Sequence, residues 1–404
     1  MSNPTISFKQ LLAPMDVDKF LSKFYQNKPL HIKGEPKRFD SLFNWERLNY
    51  ILNMNQQWDA PRMRLIRDGQ PLPPAMFSRP VVDEAAGNVL RAVPALVSKH
   101  LADGATINLN EVEQLDENLA AVSRAFAMAF SCRSNCNLYL SRKEVTALDT
   151  HFDPTDVFVL HLSGRKRWKI YDQRFEAPAY VDGYQQASFP KEYHEAHKGR
   201  VLLQPTLSPG DVLYIPAGYY HDAMALTDSS LHLTYSIELV RGLVLAEILE
   251  PLLASEAIFR EPLPDPDDTV AHDERIKHLA TRMAERLTDP QVTAHIRVRQ
   301  KNQAFWDVPG FNLPAPDIDQ VFRVKSLRTS LKKAGSSIEI SADGRTFPVM
   351  DSQTAIVEWV LNRDAFNTGQ LLAAFEDVPR DVVQGAVDLL VNTNAVESID
   401  PYLA

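Results

Sequence analysis

Hydrophobic and polar positions change their period three times along this chain, and each change predicts a different kind of structure. Up to about residue 130 the pattern mixes helix and loop. Val17, Phe20, Leu21 and Phe24 fall on one side of a helix over Val17 to Tyr25. The run NKPLHIKG reads as a short strand ending at Gly34. The proline-bearing segments at 71–74 and 78–80 read as loops, and Leu119 to Ala129 returns to a helical rhythm.

From residue 137 to 240 the pattern becomes that of strands. NLYL, DVFVLHL, KRWKIYD, RVLLQP, DVLYIP and HLTYSIEL are short and rich in β-branched and aromatic residues. Turn residues such as Ser163-Gly164 and Pro209-Gly210 separate them. Strands at this spacing predict a sandwich or barrel, of which the jelly roll is one form.

Residues 241–310 turn helical. Ile276, Leu279, Ala280, Met283 and Leu287 make one apolar stripe, and Pro262, Pro264 and Pro266 mark a linker before it. Such an amphipathic region serves either as a dimer surface or as packing. From residue 312 onward a hairpin around Asp343-Gly344 precedes three short helical segments, TAIVEWVLN, TGQLLAAFE and RDVVQGAVDLLVNTNAV, with Thr368 a candidate N-cap for the second. The combination is winged-helix-like. Three regions follow: 1–240, 241–311 and 312–404.

Composition narrows the function classes. At 45% hydrophobic and 24% charged, the chain has the make-up of an ordinary globular protein. A net charge of −9 argues against a general nucleic-acid binder. The 312–404 region holds 13 acidic against 8 basic residues, a formal charge of −5 that opposes contact with phosphates, so direct DNA binding is not expected of it. Cys132 and Cys136 are too few for a four-thiolate zinc site or a disulfide framework and read as idle thiols. The N-terminus lacks a signal-peptide pattern, and the sequence holds no apolar run long enough to span a membrane, so a cytoplasmic location is the expectation.

The candidate chemistry centres on HFDPTDVFVL. His151 and Asp153 are two residues apart and, on a strand, would project from one face. Two histidines and one carboxylate make a facial triad that leaves positions open on iron(II). His221 is the third candidate: Pro209-Gly210 makes a turn, DVLYIP a strand, and AGYY a short bend that delivers it. The other histidines fit less well. His161 shares the strand face of His151 but lies ten residues on, on the order of 33 Å if extended. His194 and His197 sit in KEYHEAHKG, which reads as a polar surface loop.

An acidic cosubstrate needs a basic anchor. In GRKRWKIYD, strand parity groups Lys166 with Trp168 and Ile170, and Arg165 with Arg167, Lys169 and Tyr171. The first group is the better inward face, which makes Lys166 a lone buried cation in need of a counter-ion.

In order and spacing, HFDPTDVFVLHLSGRKRW, the preceding NLYL, PGDVLYIPAGYYHDA and SSLHLTYSIEL resemble the JmjC-type, cupin-4 ribosomal oxygenases. FYQNKPLHIKG, the helical region and the acidic C-terminal region resemble the same family. The resemblance implies a mainly β core, the double-stranded β-helix or jelly roll, with a helical dimerisation region, hence a homodimer, and a C-terminal winged helix. It also implies iron(II) held by His151, Asp153 and His221, 2-oxoglutarate anchored by Lys166 and contacted by Tyr139 and Thr234, and O2 as the oxidant. Asn137 and Ser236 lie near that site. Some members carry arginine at the anchor position, so Lys166 resembles the lysine-bearing branch. The implied activity is hydroxylation of an arginine or histidine side chain of a ribosomal protein.

The loops between Lys166 and His221 and from Asp222 to Ser230 depart from the better-known members, and substrate choice lives in such loops. Three other readings stand beside hydroxylation of a ribosomal protein. They are an N-methyl-lysine demethylase, a peptide-tailoring hydroxylase and a non-enzymatic cupin with a DNA-binding winged helix.

Overall fold

The structure is a computed structural model that describes every residue except 1–5, 55–57, 59–61, 84–86, 143–147, 303–319, 326–328, 335–336, 343–344 and 400–404. The described residues form two compact units, one within Ile6–Val308 and the other within Pro309–Ala404.

The first unit opens with helices α1 (Phe8–Leu12) and α2 (Val17–Lys23), strand β1 (Leu30–Ile32) and helix α3 (Trp45–Met54). Strands β2 (Met63–Arg67) and β3 (Gln70–Pro71) and the ribbon β4 (Ser78–Asp83) with β5 (Gly87–Ala92) follow. Then come α4 (Pro94–Ala102), β6 (Thr106–Leu109) and α5 (Glu117–Phe130). Ser78-Arg79-Pro80 is therefore strand, not loop. Pro80 is tolerated because a two-stranded ribbon has free edges where its missing N–H costs nothing.

The strands expected after residue 137 are β7 (Cys136–Ser141), β8 (Asp156–Ser163), β9 (Lys166–Arg174), β10 (Val201–Leu203), β11 (Thr206–Leu207), β12 (Val212–Ile215), β13 (Tyr219–Ala225) and β14 (Ser230–Ile237), with helix α6 (Lys191–His197) between β9 and β10. They build two sheets. The larger runs β1-β12-β8-β14-β7-β6-β2-β3; in the smaller, β9 pairs with β10, β11 and β13. This is the jelly-roll arrangement expected, a mainly β core with helices outside.

Strand parity gives the larger sheet two different faces. Phe158 and Leu160 of β8, Leu138 and Leu140 of β7, Tyr214 of β12, and Leu231, Leu233 and Tyr235 of β14 all join the core under the N-terminal helices. Phe126 of α5 stacks on Phe158 at 4.7 Å, and Phe20 of α2 meets Tyr214 edge-on at 4.9 Å. Each such fully buried aromatic contributes about 1.5–3 kcal/mol. The opposite face meets the smaller sheet through Val157, Val159, Leu213 and Ile215 against Trp168, Ile170 and Leu207. Towards one end, polar residues replace this second core. Cys132 and Cys136 are free and buried in the first core, where burial pushes both thiols up.

The N-terminal strand is pinned at a close backbone crossing. Asp211 accepts from the backbone N–H groups of Gly34 and Ser208 and lies 3.0 Å from His31 Nε2. Here Gly210 has φ +91°, and a Cβ on it would sit 1.9 Å from the carbonyl oxygen of Glu35. A Cβ on Gly34 would meet the carbonyl of Gly210 at the same distance.

Helices α7 (Val244–Ala254), α8 (Ala257–Arg260), α9 (Thr269–Leu287) and α10 (Pro290–Asn302) complete this unit, with the expected proline-bearing linker between α8 and α9. The second unit contains β15 (Val321–Val324), β16 (Thr329–Ala334), β17 (Ser337–Ala342), β18 (Arg345–Val349), α11 (Asp351–Leu361), β19 (Ala365–Asn367), α12 (Thr368–Ala374), α13 (Arg380–Asn392) and β20 (Val396–Ile399). The β17–β18 hairpin forms as expected, while its Asp343-Gly344 turn lies outside the described residues. The three helices also form, but Asn367 caps α12 through a capping box with Gln370; Thr368 is the first helical residue. Its core joins Ile356, Val360, Val383 and Leu390 to Phe322 and Phe366. No helix among the described residues is long and apolar enough to cross a membrane.

Replacing Gly210 with alanine forces a methyl group into the Glu35 carbonyl at a left-handed backbone position. Urea unfolding of Gly210→Ala should show a loss of about 2–3 kcal/mol. An unchanged midpoint would contradict the close crossing.

Candidate active site

His151 and His221 stand opposite each other as a bridge of two backbone hydrogen bonds. His151 N–H donates to His221 O at 3.1 Å and His221 N–H to His151 O at 2.8 Å. A directly opposed pair projects its side chains from the same face, and the two ring centroids lie 4.4 Å apart. His151 is not part of a continuous strand with Asp153, as the H-x-D spacing suggested. It forms this isolated bridge, and β8 starts only at Asp156. The bend expected before His221 is confined to a turn at Ala217-Gly218; Tyr219 and Tyr220 already belong to β13, which carries His221 paired with Ile170 of β9. Asp153 is held between the two because its carbonyl accepts from Gly218 N–H, just before β13.

Asp153 Oδ1 lies 3.9 Å from His151 Nε2, and Oδ2 lies 3.5 Å from His221 Nε2. The three donor atoms are within 4.8 Å of one another. In each histidine, Nδ1 faces a backbone carbonyl: Asp149 O at 2.8 Å for His151 and Tyr219 O at 2.9 Å for His221. A carbonyl only accepts, so each Nδ1 carries the hydrogen and each Nε2 keeps its lone pair towards the shared point. That is the tautomer a metal ligand needs. Burial and the adjacent His221 ring hold His151 below its ordinary value, keeping the ring neutral and able to ligate. Two imidazoles and a carboxylate suit a divalent transition metal such as iron(II).

The triad forms one end of a cavity of about 600 Å³, its open mouth included. Tyr139, Thr234, Lys166, Trp168 and His232 line the rest, with Val157, Val159 and Ala223 as apolar wall. Lys166 faces inward with Trp168 and Ile170, as parity predicted, and is 2% exposed. Its ammonium donates to Ser141 Oγ at 3.2 Å, and no carboxylate among the described residues pairs with it. Burial alone pulls its pKa from 10.5 to about 7. Asn137 and Ser236 are engaged by protein groups instead: Asn137 Oδ1 accepts from Glu111 N–H, and Ser236 donates to Asn135.

The remaining histidines divide differently from expectation. His194 is not on the surface. It is buried in α6, where its Nε2 contacts the carbonyl of Gln186, a cavity residue, and its ring meets Phe152, which lies between His151 and Asp153. His197 is exposed. His161 is buried on β8 behind His232, its Nε2 facing Gly164 O at 3.1 Å. Sequence reasoning missed His232, Ser141 and Gln186. Parity could have found the first two, since His232 is two residues before Thr234 and Ser141 two after Tyr139; nothing local marks Gln186.

Residues 109–242 match the family model for the JmjC domain. Among curated proteins, a bifunctional lysine-specific demethylase and histidyl-hydroxylase NO66 of Dictyostelium discoideum is 28% identical over 264 residues, covering 63% of this chain and 48% of that protein. Ribosomal oxygenase 1 of Gallus gallus is 27% identical over 57% of this chain and 36% of its own length. This chain thus spans about half or less of the curated relatives it matches. Among solved structures, YcfD, a ribosomal oxygenase from Escherichia coli, aligns with a TM-score of 0.53 at 18% identity, over 96% of this chain and 99% of its own. The same protein in complex with cobalt and 2-oxoglutarate aligns equally well. The likeness establishes the shared fold.

Lys166 retains its proton in the unfolded chain up to about pH 10.5 but loses it near pH 7 in the folded, ligand-free protein. Between those values the unfolded state binds more protons, so stability rises with pH; the burial cost is fully present below pH 7. Lys166→Met should therefore raise the melting temperature of the ligand-free protein by a few degrees at pH 6 and by less at pH 9. Equal shifts at both pH values, read by differential scanning calorimetry, would contradict a buried, unpaired lysine.

Proposed function

We propose that this chain is an iron(II)- and 2-oxoglutarate-dependent oxygenase that hydroxylates an arginine or histidine side chain of a ribosomal protein. The observation that carries this reading is the pairing, in one cavity, of a His-Asp-His donor set with a buried lysine that has no counter-ion among the described residues. A protein metal site alone would not need the lysine. A cosubstrate that chelates a metal at one end and presents a carboxylate at the other accounts for both.

In this reading His151, Asp153 and His221 hold iron(II) through Nε2, a carboxylate oxygen and Nε2. The bound ion supplies the activation of O2 that couples decarboxylation of 2-oxoglutarate to oxidation of a substrate C–H bond. Lys166 binds the far carboxylate, and burial makes that ion pair stronger than it would be in water. Tyr139 and Thr234 offer hydroxyl groups to the same molecule, while Val157, Val159 and Ala223 exclude water from it.

The name of the D. discoideum relative joins lysine demethylation to histidyl hydroxylation, so the test must separate the two. The chain, iron(II), 2-oxoglutarate and purified ribosomal proteins are incubated together and the products read by mass spectrometry. Hydroxylation adds one oxygen to a ribosomal protein without release of formaldehyde, and His151→Ala abolishes the gain. Formaldehyde with loss of a methyl group would decide for demethylation, and neither product would refute the reading.

The partner implied for the helical region is a second copy of this chain. Helix α9 has no fully buried residue, Ile276 of its apolar stripe is 44% exposed, and Leu263 and Val270 beside it are exposed too. Sedimentation equilibrium should give twice the chain mass, and Ile276→Glu with Leu279→Glu should give a monomer. A monomeric parent chain would refute the dimer. The acidic 312–404 region serves in this reading as a winged-helix-like protein-contact unit, without direct DNA binding.

A further inference from the structure

The Lys166 end of the cavity contains more unsatisfied polar atoms than a lysine anchor requires. His232 Nδ1 and Trp168 Nε1 are buried without a hydrogen-bond partner among the described residues, and both side chains line the cavity. His232 is 2% exposed and Trp168 6%. A buried polar atom left without a partner costs about 1–3 kcal/mol, so two beside the Lys166 ammonium mark a place for a polar ligand.

The His232 ring is held in a fixed plane. Register places it opposite Tyr139 on one neighbouring strand and His161 on the other. It stacks on Tyr139 at 5.1 Å with the planes 7° apart, and lies nearly parallel to His161 at 6.3 Å, 12° apart. Trp168 closes the side of the stack at 5.6 Å and 81°. Burial, Lys166 and His161 all push its pKa down, so the ring is neutral and offers one N–H.

A lysine is a point charge on a flexible stem: it attracts a carboxylate but does not orient it. An arginine presents two parallel N–H groups and does both. Where this chain has lysine, a second donor of fixed direction is needed to orient the anion. We propose that His232 is that donor: its N–H bonds one oxygen of the far carboxylate of 2-oxoglutarate while the Lys166 ammonium bonds the other. Lysine and histidine together thus do what one arginine would do. This rests on the reading of the cavity as a 2-oxoglutarate site.

The test is calorimetric titration of the full chain, loaded with manganese(II) under anaerobic conditions, using two probes. 2-Oxoglutarate carries the far carboxylate and 2-oxobutanoate lacks it. His232→Phe, which keeps a stacked ring without nitrogen, should weaken 2-oxoglutarate about tenfold, as expected for one hydrogen bond to a charged group, and leave 2-oxobutanoate within twofold. The size-matched pair His232→Gln and His232→Leu repeats the comparison without an aromatic ring: glutamine should stay within about threefold of the parent and leucine should not. Unchanged 2-oxoglutarate affinity in His232→Phe, or equal losses for both probes, overturns the proposal. Failure of the parent chain itself to bind 2-oxoglutarate overturns the cosubstrate reading on which it rests.

Discussion

Two backbone hydrogen bonds between His151 and His221 hold the candidate site together. They join a stretch with no regular structure of its own to a strand of the smaller sheet, and they point both rings the same way. Asp153 follows because its own carbonyl is tied to Gly218. The fit of the donor set thus depends on main-chain pairing, which tolerates little movement, more than on the packing of the three side chains. Side-chain hydrogen bonds to local carbonyls then settle the tautomer. Phe152, packed on Phe175 at 4.4 Å and against Tyr220 and His194, anchors the stretch from the opposite side.

The cavity is arranged as two charged ends with a neutral lining between them. At one end is a carboxylate with two imidazoles, and at the other a single ammonium beside His232, with His161 behind that ring. The same low-dielectric surroundings that hold His151, His161 and His232 neutral also draw Lys166 towards neutrality. An anion arriving beside Lys166 would restore its charge. The ligand-free protein carries the cost of that burial, and binding removes it.

The larger sheet makes these two roles compatible. One face is a continuous apolar surface against the N-terminal helices, so the strands are held rigidly whatever happens on the other. That other face can then carry Asn137, Tyr139, Ser141, His232, Thr234 and Ser236, a polar set that would destabilise a sheet lacking such support. The close crossing at Gly34 and Gly210, with Asp211 and His31, seals β1 onto the edge of this sheet.

Much of this was legible in the residues themselves. Strand alternation put Lys166 on one face with Trp168 and Ile170, because the period of a strand is two wherever it lies, and that apolar company marked the face as inward. The segments HFDPTD and PGDVLYIPAGYYHDA marked the three candidate ligands, and the strand-rich composition after residue 137 marked the β core. Tertiary structure decided what no local pattern encodes. It made His151 a lone bridge and carried His221 on a strand, since both depend on which distant backbone lies alongside. It buried His194 in a helix whose polar sequence looks solvent-exposed, because the aromatic residues that enclose it come from three other segments. And it set the ring of His232, whose cavity-facing side alternation with Thr234 already marks, between Tyr139 and His161, because only the register of β14 against β7 and β8 brings those two alongside.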